Sequence, residues 1–345
     1  MNIALIIEAF GTTGGAERMA GYVAGGLVKR GHQVHVYASR FDGAAGVVEH
    51  RVSASGFNRH VAFSNGVKKS MKKHDIVYSF TRTVTQDILR LGGGIHAEYL
   101  KRMEAARSAV GRLFSRINPK ERAILKLERE GLEKTPRIIS VSNRVKQEAV
   151  DHYSIDPKKI LVMHNGVDLT RFSPVNRDRG WLKTVAVPDG FIVLFVGSGF
   201  RRKGLKTAID AVKRVPGAQL VVCGKDKPDA YRAPRVHFVG ARKDIEKAYG
   251  AADALVLPAL YDPFPNVCLE AMASGVPVVV SDVCGPSEVI THGRDSFVAN
   301  DAGAIADCLR AIESNRDLGR AARATAEKHS IDDYLSRTLD LFTRP

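Results

Sequence analysis

The chain has 345 residues, 44% hydrophobic and 26% charged, with four cysteines and a formal net charge of +15. That length suits two domains of ordinary size, each with its own core. No apolar run approaches the roughly 20 residues that span a bilayer, and no basic region precedes the strand-like segment Ile3 to Phe10, so a cytosolic protein without leader or span is expected.

The charge is uneven. Residues 1–164 hold 27 Lys and Arg against 15 Asp and Glu, and the remainder 25 against 22. Polyanionic partners are therefore expected at the first half: nucleic acid, an anionic membrane surface or a phosphorylated acceptor. Cys223, Cys268, Cys284 and Cys308 lack C-x-x-C spacing and read as buried thiols, neither disulfide nor zinc site.

Asn2 to Phe10 reads as an apolar strand, Gly11-Thr-Thr-Gly-Gly15 as a turn, and Ala16 to Arg30 as a helix closed by Gly31. Strand, glycine turn, helix is the first unit of a doubly wound sheet. Gly14 and Gly15, without Cβ, either let backbone approach a ligand or simply make a tight turn. Glu17 complements the helix dipole. Further strands are expected at Gln33 to Ala38, Val47 to Val52, Asp75 to Phe80 and Arg137 to Val141, separated by helical stretches as in a parallel sheet. Lys68, Lys69, Lys72 and Lys73 fall on one side of a helix. Leu91 to His96 reads as a flexible turn.

Tyr99 to Glu130 carries nine Lys and Arg and four acids among apolar residues, broken at Asn118-Pro119. Two basic amphipathic helices of this kind lie on an anionic membrane or pack as solvated helices. Ser142-Asn143 caps a helix to about His152. Residues 175–190 read as a linker.

The second half repeats the first: strand Phe191 to Val196, glycine loop Gly197-Ser-Gly-Phe-Arg-Arg-Lys-Gly-Leu205, then a helix to Val215. Arg201, Arg202 and Lys203 either meet a diphosphate or are solvated loop charges. Leu220 to Gly224 and Val236 to Gly240 read as strands ending where ligands gather. In Tyr261 to Val280 a loop leads to a helix starting near Pro265 and then to a buried strand. Its free first-turn amides form an anion site between Asp262 and Glu270. Asn266, Glu270 and Ser274 share one face, whereas Val267, Leu269, Met272 and Ala273 pack inward. Alternatively Glu270 merely faces solvent. Residues 302–328 are helical, and Ile331 to Phe342 forms a last amphipathic helix.

Asp262 to Gly275, followed by Val276-Pro-Val-Val-Val-Ser-Asp282, resembles the acid, seven residues, Glu block of retaining nucleotide-sugar glycosyltransferases of family 4, with Asp262 where Glu is usual. Asn165-Gly-Val-Asp168 resembles the family's segment where the chain leaves the first domain, and Gly285-Pro-Ser-Glu288 its Gly-Gly-x-x-Glu turn. Ser198 replaces the Arg found after the first glycine in many members. The form Gly-Ser-Gly-Phe-x-x-Lys-Gly is instead similar to the lipopolysaccharide core glucosyltransferases.

The resemblance implies a GT-B fold: an α/β chain with two Rossmann-like doubly wound domains facing each other across a cleft. It implies an acceptor-side domain over 1–165, a nucleotide-sugar-binding domain over 166–330, and a final helix, 331–345, packed back on the first. The implied reaction is retaining transfer of a hexose from a UDP-sugar to a glycan or glycolipid acceptor, such as lipopolysaccharide core.

In that picture Arg202 and Lys203 neutralise the leaving diphosphate and Glu270 accepts the ribose hydroxyls, while Asp262 is the shorter acid toward the sugar. Gly14, Gly15, Gly197, Arg201, Gly224, Lys225, Pro265, Asn266 and Val267 border the donor. His96 and Glu98 are candidates to touch sugar hydroxyls, though His96 could equally be a satisfied surface histidine. No cofactor or metal is expected. The enzyme would be cytoplasmic, peripheral on the inner face of the cell membrane. A sugar-nucleotide epimerase of the same fold, and more remotely a nucleic-acid-binding protein, are alternatives. Against the latter, the aromatic content is 7% and no basic and aromatic residues interleave for stacking.

Overall fold

The computed structural model describes residues 1–11, 14–43, 46–105 and 118–343. They form two compact units, Met1–His164 with Leu335–Pro345, and Asn165–Tyr334. Thr12 and Thr13 of the first glycine turn lie outside the described residues. So does 106–117, with Arg107, Val110, Arg112, Leu113, Phe114, Arg116 and Ile117.

The first unit contains β1 (Asn2–Ile6), β2 (Ala9–Phe10), β3 (Gln33–Ala38), β4 (Arg40–Phe41), β5 (Val48–Arg51), β6 (Ile76–Ser79), β7 (Ile88–Leu91), β8 (Arg137–Ser140) and β9 (Ile160–Val162). Seven of these make one parallel sheet in the order β5-β3-β1-β6-β7-β8-β9. Ile3 pairs with Val34 on one side and Ile76 on the other. β1 is therefore central and almost wholly buried, which suits an uninterrupted apolar run. The helix Gly15–Lys29 buries Met19, Ala20, Val23, Ala24 and Leu27 at helical spacing.

Two expectations change here. The run Asn2 to Phe10 is two strands, because β1 ends at Ile6 and Ala9–Phe10 pairs with Arg40–Phe41. β7 was not foreseen: Arg90, 3% exposed, sits within a run of only four residues and breaks its apolar signature. At Asn118-Pro119, where a second helix is expected to begin, one does: Asn118 accepts from the Lys120 amide and Pro119 lies in the first turn of Pro119–Lys134.

The second unit contains β10 (Ile192–Val196), β11 (Gln219–Cys223), β12 (Val236–Phe238), β13 (Ala254–Leu257), β14 (Val278–Val280) and β15 (Phe297–Val298), parallel in the order β12-β11-β10-β13-β14-β15. β10 lies between β11 and β13, as β1 lies between β3 and β6. Each is a point of reversal in strand order, where ligands of doubly wound sheets bind outside the carboxyl ends.

Residues 175–190 are not a linker but a packed part of this unit. Trp181 and Leu182 are buried, and Arg177 and Arg179 both donate to Asp253. All four cysteines are free and buried. Burial pushes the Cys223 thiol up to about 12 and that of Cys284 well above its ordinary value, so both stay protonated at neutral pH.

A histidine cluster lies on the first sheet. His35 Nδ1 is 2.8 Å from His50 Nε2, and His74 bridges the Tyr37 hydroxyl and the Asn2 side chain. Desolvation, with Lys72 close by, holds His35, His50 and His74 below the ordinary imidazole range. A depressed folded pKa means stability that is complete above the unfolded value, about 6.5, and lost as pH falls through the folded values. The urea midpoint is expected to be level above pH 7 and to fall on going from pH 6.5 to 5. His50→Gln should flatten that fall, and an unchanged slope would show that the cluster does not govern it.

Candidate functional site

At the carboxyl edge of the second sheet, β10 runs into the loop Gly197 to Gly204 and β13 into the segment carrying Asp262. Gly204 has φ +76°, and a Cβ there would come 1.9 Å from the Pro258 carbonyl oxygen, so only glycine fits. A Cβ on Gly197 would lie 2.5 Å from Lys203 Cε. Gly197 thereby lets the Lys203 stem lie flat along the loop. Gly224 plays a similar packing part, because a Cβ would meet the Gly197 carbonyl at 2.5 Å and the Phe200 ring at 2.6 Å.

Three of the expected residues form one cluster. Lys203 Nζ is 2.8 Å and Arg202 Nη1 3.0 Å from the same oxygen, Asp262 Oδ2, and Arg202 also donates to the Tyr261 carbonyl at 2.8 Å. Lys203 and Asp262 are each 8% exposed. Burial pushes the Asp262 carboxyl up, but the Lys203 and Arg202 charges and hydrogen bonds outweigh it and leave it lowered. The sequence had set Asp262 toward a sugar. The structure sets its carboxylate on the two cations, which it fixes in place. Arg201, beside them, is exposed.

The amides of the glycine loop are themselves engaged. Gly199 N–H and Phe200 N–H both donate to Asp226 Oδ2, at 2.8 and 2.7 Å. Lys225 is exposed, and its own amide donates to Ser198 Oγ. Sequence reasoning passed over Asp226, whose only signal is an acid 27 residues beyond the loop at the end of the adjacent strand.

The second acid lies on the helix Asn266–Ala273, whose N-cap is Pro265. Glu270 is 4% exposed rather than solvent-facing, and the buried Tyr249 hydroxyl donates to its Oε2 at 2.9 Å. Tyr249 is a second residue the sequence did not single out. Asn165, 5% exposed, was read from the sequence only as part of the Asn-Gly turn, not for its contacts. Its Nδ2 donates to the Phe264 carbonyl and to Asn266 Oδ1, so the Asn-Gly turn that opens this unit fixes the start of the helix. Val267 is half-buried beside it. At the other end, Arg323 donates to the Ala273 carbonyl at 2.7 Å, a cation at the helix C-terminus. Gly285, foreseen as a turn, donates its amide to the Asp262 carbonyl.

In the first unit, Gly14 and Gly15 open the first helix, and a Cβ on Gly14 would meet the Glu17 carboxylate at 2.4 Å. His96 and Glu98 lie in an internal network. His96 Nε2 is 2.5 Å from Glu121 Oε2, and the His96 amide donates to Glu128. Glu98, 5% exposed, pairs with His152 and Arg102 on its two oxygens. Burial pushes the Glu98 carboxyl up, but His152 and the basic neighbours lower it overall. Both oxygens of Glu98 thus hold the fold together, which corrects its placement toward a sugar. Among the described residues no group of three or more His, Cys, Asp and Glu is placed to hold a metal, and no helix is long and apolar enough to cross a membrane.

Comparison with known proteins fits this arrangement. The family model described as Glycosyltransferase Family 4 matches residues 13–171, and that described as Glycosyl transferases group 1 matches residues 190–315. A probable transglycosylase of Burkholderia thailandensis is 29% identical over 99% of the chain and 96% of the relative. The lipopolysaccharide glucosyltransferase WaaG of Escherichia coli is 26% identical over 100% and 96%. A crystal structure of WaaG superposes with a TM-score of 0.84 at 22% identity, over 99% of this chain and all of that one. HepE of Anabaena, solved with UDP and glucose, gives 0.78 at 18% identity over 100% of both chains. With two parallel α/β units of the GT-B kind and both halves matched, the chain belongs to the family 4 glycosyltransferases.

Proposed function

We propose that the chain moves a hexose from a UDP-sugar to a sugar of a cell-envelope glycan, such as lipopolysaccharide core, with retention and without a metal. The observation that carries this reading is the pair Arg202 and Lys203 locked on Asp262 at the carboxyl edge of the nucleotide-binding half. When the bond from the anomeric carbon to the diphosphate breaks, negative charge grows on the leaving oxygen, and fixed cations there lower the barrier. Glu270, oriented by Tyr249, would accept the ribose hydroxyls. The acceptor oxygen attacks on the face the diphosphate leaves, and its proton passes to the departing phosphate oxygen, so no protein nucleophile is needed.

Relatives support the choice of donor and acceptor: HepE was solved with UDP and glucose, and WaaG acts in lipopolysaccharide biosynthesis. An epimerase would release altered sugar without an acceptor. The test is incubation with UDP-glucose and lipopolysaccharide core, with the product's anomeric configuration read by NMR. An α-linked product supports the reading, whereas a β-linked product or free epimerised sugar overturns it.

The enzyme would work on the inner face of the cell membrane. Lys68, Lys69, Lys120, Arg122 and Lys126 are exposed on the helices Arg59–Ser70 and Pro119–Lys134, which are linked through Asn58 donating to the Lys120 carbonyl. Arg102 is tied to Glu98 and contributes less than its sequence position suggested. Each cation near an anionic surface contributes roughly 1 kcal/mol, falling off within about a Debye length. Cosedimentation with anionic vesicles is expected, with weak binding to neutral vesicles and release by salt. Reversing Lys68, Lys120, Arg122 and Lys126 to Glu should abolish it. Absence of cosedimentation at low salt would leave the charge to a soluble acidic acceptor.

A further inference from the structure

The second unit carries a cavity of about 630 Å³ at the edge of its sheet away from Asp262 and Lys203. Phe191, Asp253 and Pro277 line it, and they come directly before β10, β13 and β14. The glycine loop and Asp262 follow β10 and β13, so in a parallel sheet the cavity and the candidate site lie at opposite edges, one strand length or roughly 15–20 Å apart. The corner joining the helices Ala302–Ser314 and Leu318–Glu327 adds Ile312, Glu313 and Arg316. Its volume is that of a small-molecule site.

The charged groups in this cavity are unequally matched. Asp253 is saturated: Oδ1 accepts from Arg177 Nη2 at 2.8 Å and Arg179 Nη1 at 3.0 Å, and Oδ2 from Arg179 Nη1 at 2.9 Å and the Ile192 amide at 2.8 Å. Arg179 turns its Nε and Nη2 to Asp189 Oδ1 and the Gly190 carbonyl, which leaves Asp189 Oδ2 open. Arg177 uses one N–H on Asp253 and one on the Ala252 carbonyl. A guanidinium has five, so it carries more than these two bonds use. Among the described residues the side chains of Glu313 and Arg316 make no hydrogen bond or ion pair, and both are exposed. The open groups are thus guanidinium N–H donors on Arg177 and Arg316, carboxylate oxygens on Asp189 and Glu313, and the apolar sides of Phe191, Pro277 and Ile312.

Guanidinium forks suit a phosphate, carboxylates suit hydroxyls, and an apolar side suits the C–H face of a ring. Arg177, Arg179 and Arg316 are balanced by Asp189, Asp253 and Glu313, so the cavity has no net charge with which to hold a polyphosphate. We propose that it is a second small-molecule site, separate from the donor site, that takes a monophosphorylated sugar. The phosphate lies on Arg316 and Arg177, ring hydroxyls on Asp189 and Glu313, and the C–H face against Phe191 and Ile312. This site does not rest on the transferase reading above.

The test is calorimetric titration of the whole chain with UDP in excess, so that the donor site is filled, using glucose 1-phosphate, glucose 6-phosphate, inorganic phosphate and glucose as probes. At least one of the two sugar phosphates is expected to bind more tightly than inorganic phosphate or glucose. Arg316→Glu should weaken it at least about tenfold, the loss of one charge-assisted hydrogen bond. Arg320→Glu makes the same change in net charge at an exposed position outside the cavity and should leave the affinity unaltered. Glu313→Gln should weaken the sugar phosphate while inorganic phosphate binds no less well, a split that a general loss of fold would not give. A thermal melt of each variant checks that these exposed changes leave the chain folded.

The inference is overturned if neither sugar phosphate binds, or if inorganic phosphate binds as well as they do, which would make this a site for small anions only. It is also overturned if Arg316→Glu leaves the affinity unchanged, which would put the ligand in the donor site, or if Arg316→Glu and Arg320→Glu lose equally. Failure of the unaltered chain to bind UDP is a different result: it overturns the donor reading, while the comparison of Arg316 with Arg320 still decides this one.

Discussion

Lys203→Ala is expected to lower the turnover of UDP-glucose by about 10²–10³, with a much smaller rise in donor KM. Lys203 is 8% exposed and its ammonium is fixed 2.8 Å from Asp262 Oδ2, so it need not reorganise as charge develops on the leaving diphosphate. Preorganised charge in a site of low polarity acts mainly on the transition state, which is why kcat should carry the loss. Arg202→Ala should act in the same direction. Its guanidinium is 29% exposed and shared with the Tyr261 carbonyl, so the effect should be smaller. The fold should survive either change, because Asp262 keeps the other cation. Steady-state kinetics with both substrates varied gives the answer, and a variant in which only KM moves holds ground-state donor and nothing more.

Glu270→Gln is expected to weaken UDP-glucose binding roughly ten- to 150-fold, the equivalent of about 1.5–3 kcal/mol for one charge-assisted hydrogen bond. The amide keeps the shape and loses the charge that would meet two ribose hydroxyls. Asp262→Asn should weaken donor binding less, because its carboxylate faces Lys203 and Arg202 rather than open space. It should instead lower the thermal midpoint, since a nearly buried ammonium loses its counter-charge. Calorimetric titration of the two variants with a melt of each separates these outcomes. Equal or reversed losses in donor binding would show that the two acids have been given each other's part.

Much of this architecture was legible because central parallel strands are buried on both faces and therefore read as unbroken apolar runs. Ile192 to Val196 and Ala254 to Leu257 are of that kind. β7 escaped notice because Arg90 interrupts it, and the stretch 175–190 looked like a linker because its anchors are arginines that find Asp253 only in three dimensions.

The site divides in the same way. Glu270, Arg202 and Lys203 stand out through spacing within one stretch of chain. Tyr249, Asn165 and Asp226 act across 21, 101 and 27 residues, on hydrogen bonds that no local pattern announces. Glu98 shows the converse, a polar residue in a promising place whose partners, His152 and Arg102, claim it for the fold.

Asp226 has a consequence of its own. In many doubly wound proteins the first glycine loop is a cradle of bare amides that closes on whatever phosphate arrives. Here the chain's own carboxylate already occupies that cradle through Gly199 and Phe200. The loop is thus shaped before any ligand comes and need not be ordered anew at each turnover. Nor are the Gly199 and Phe200 amides left open to a small anion. On the proposed reading, a sugar nucleotide would be recognised by side chains around the loop rather than by these two amides.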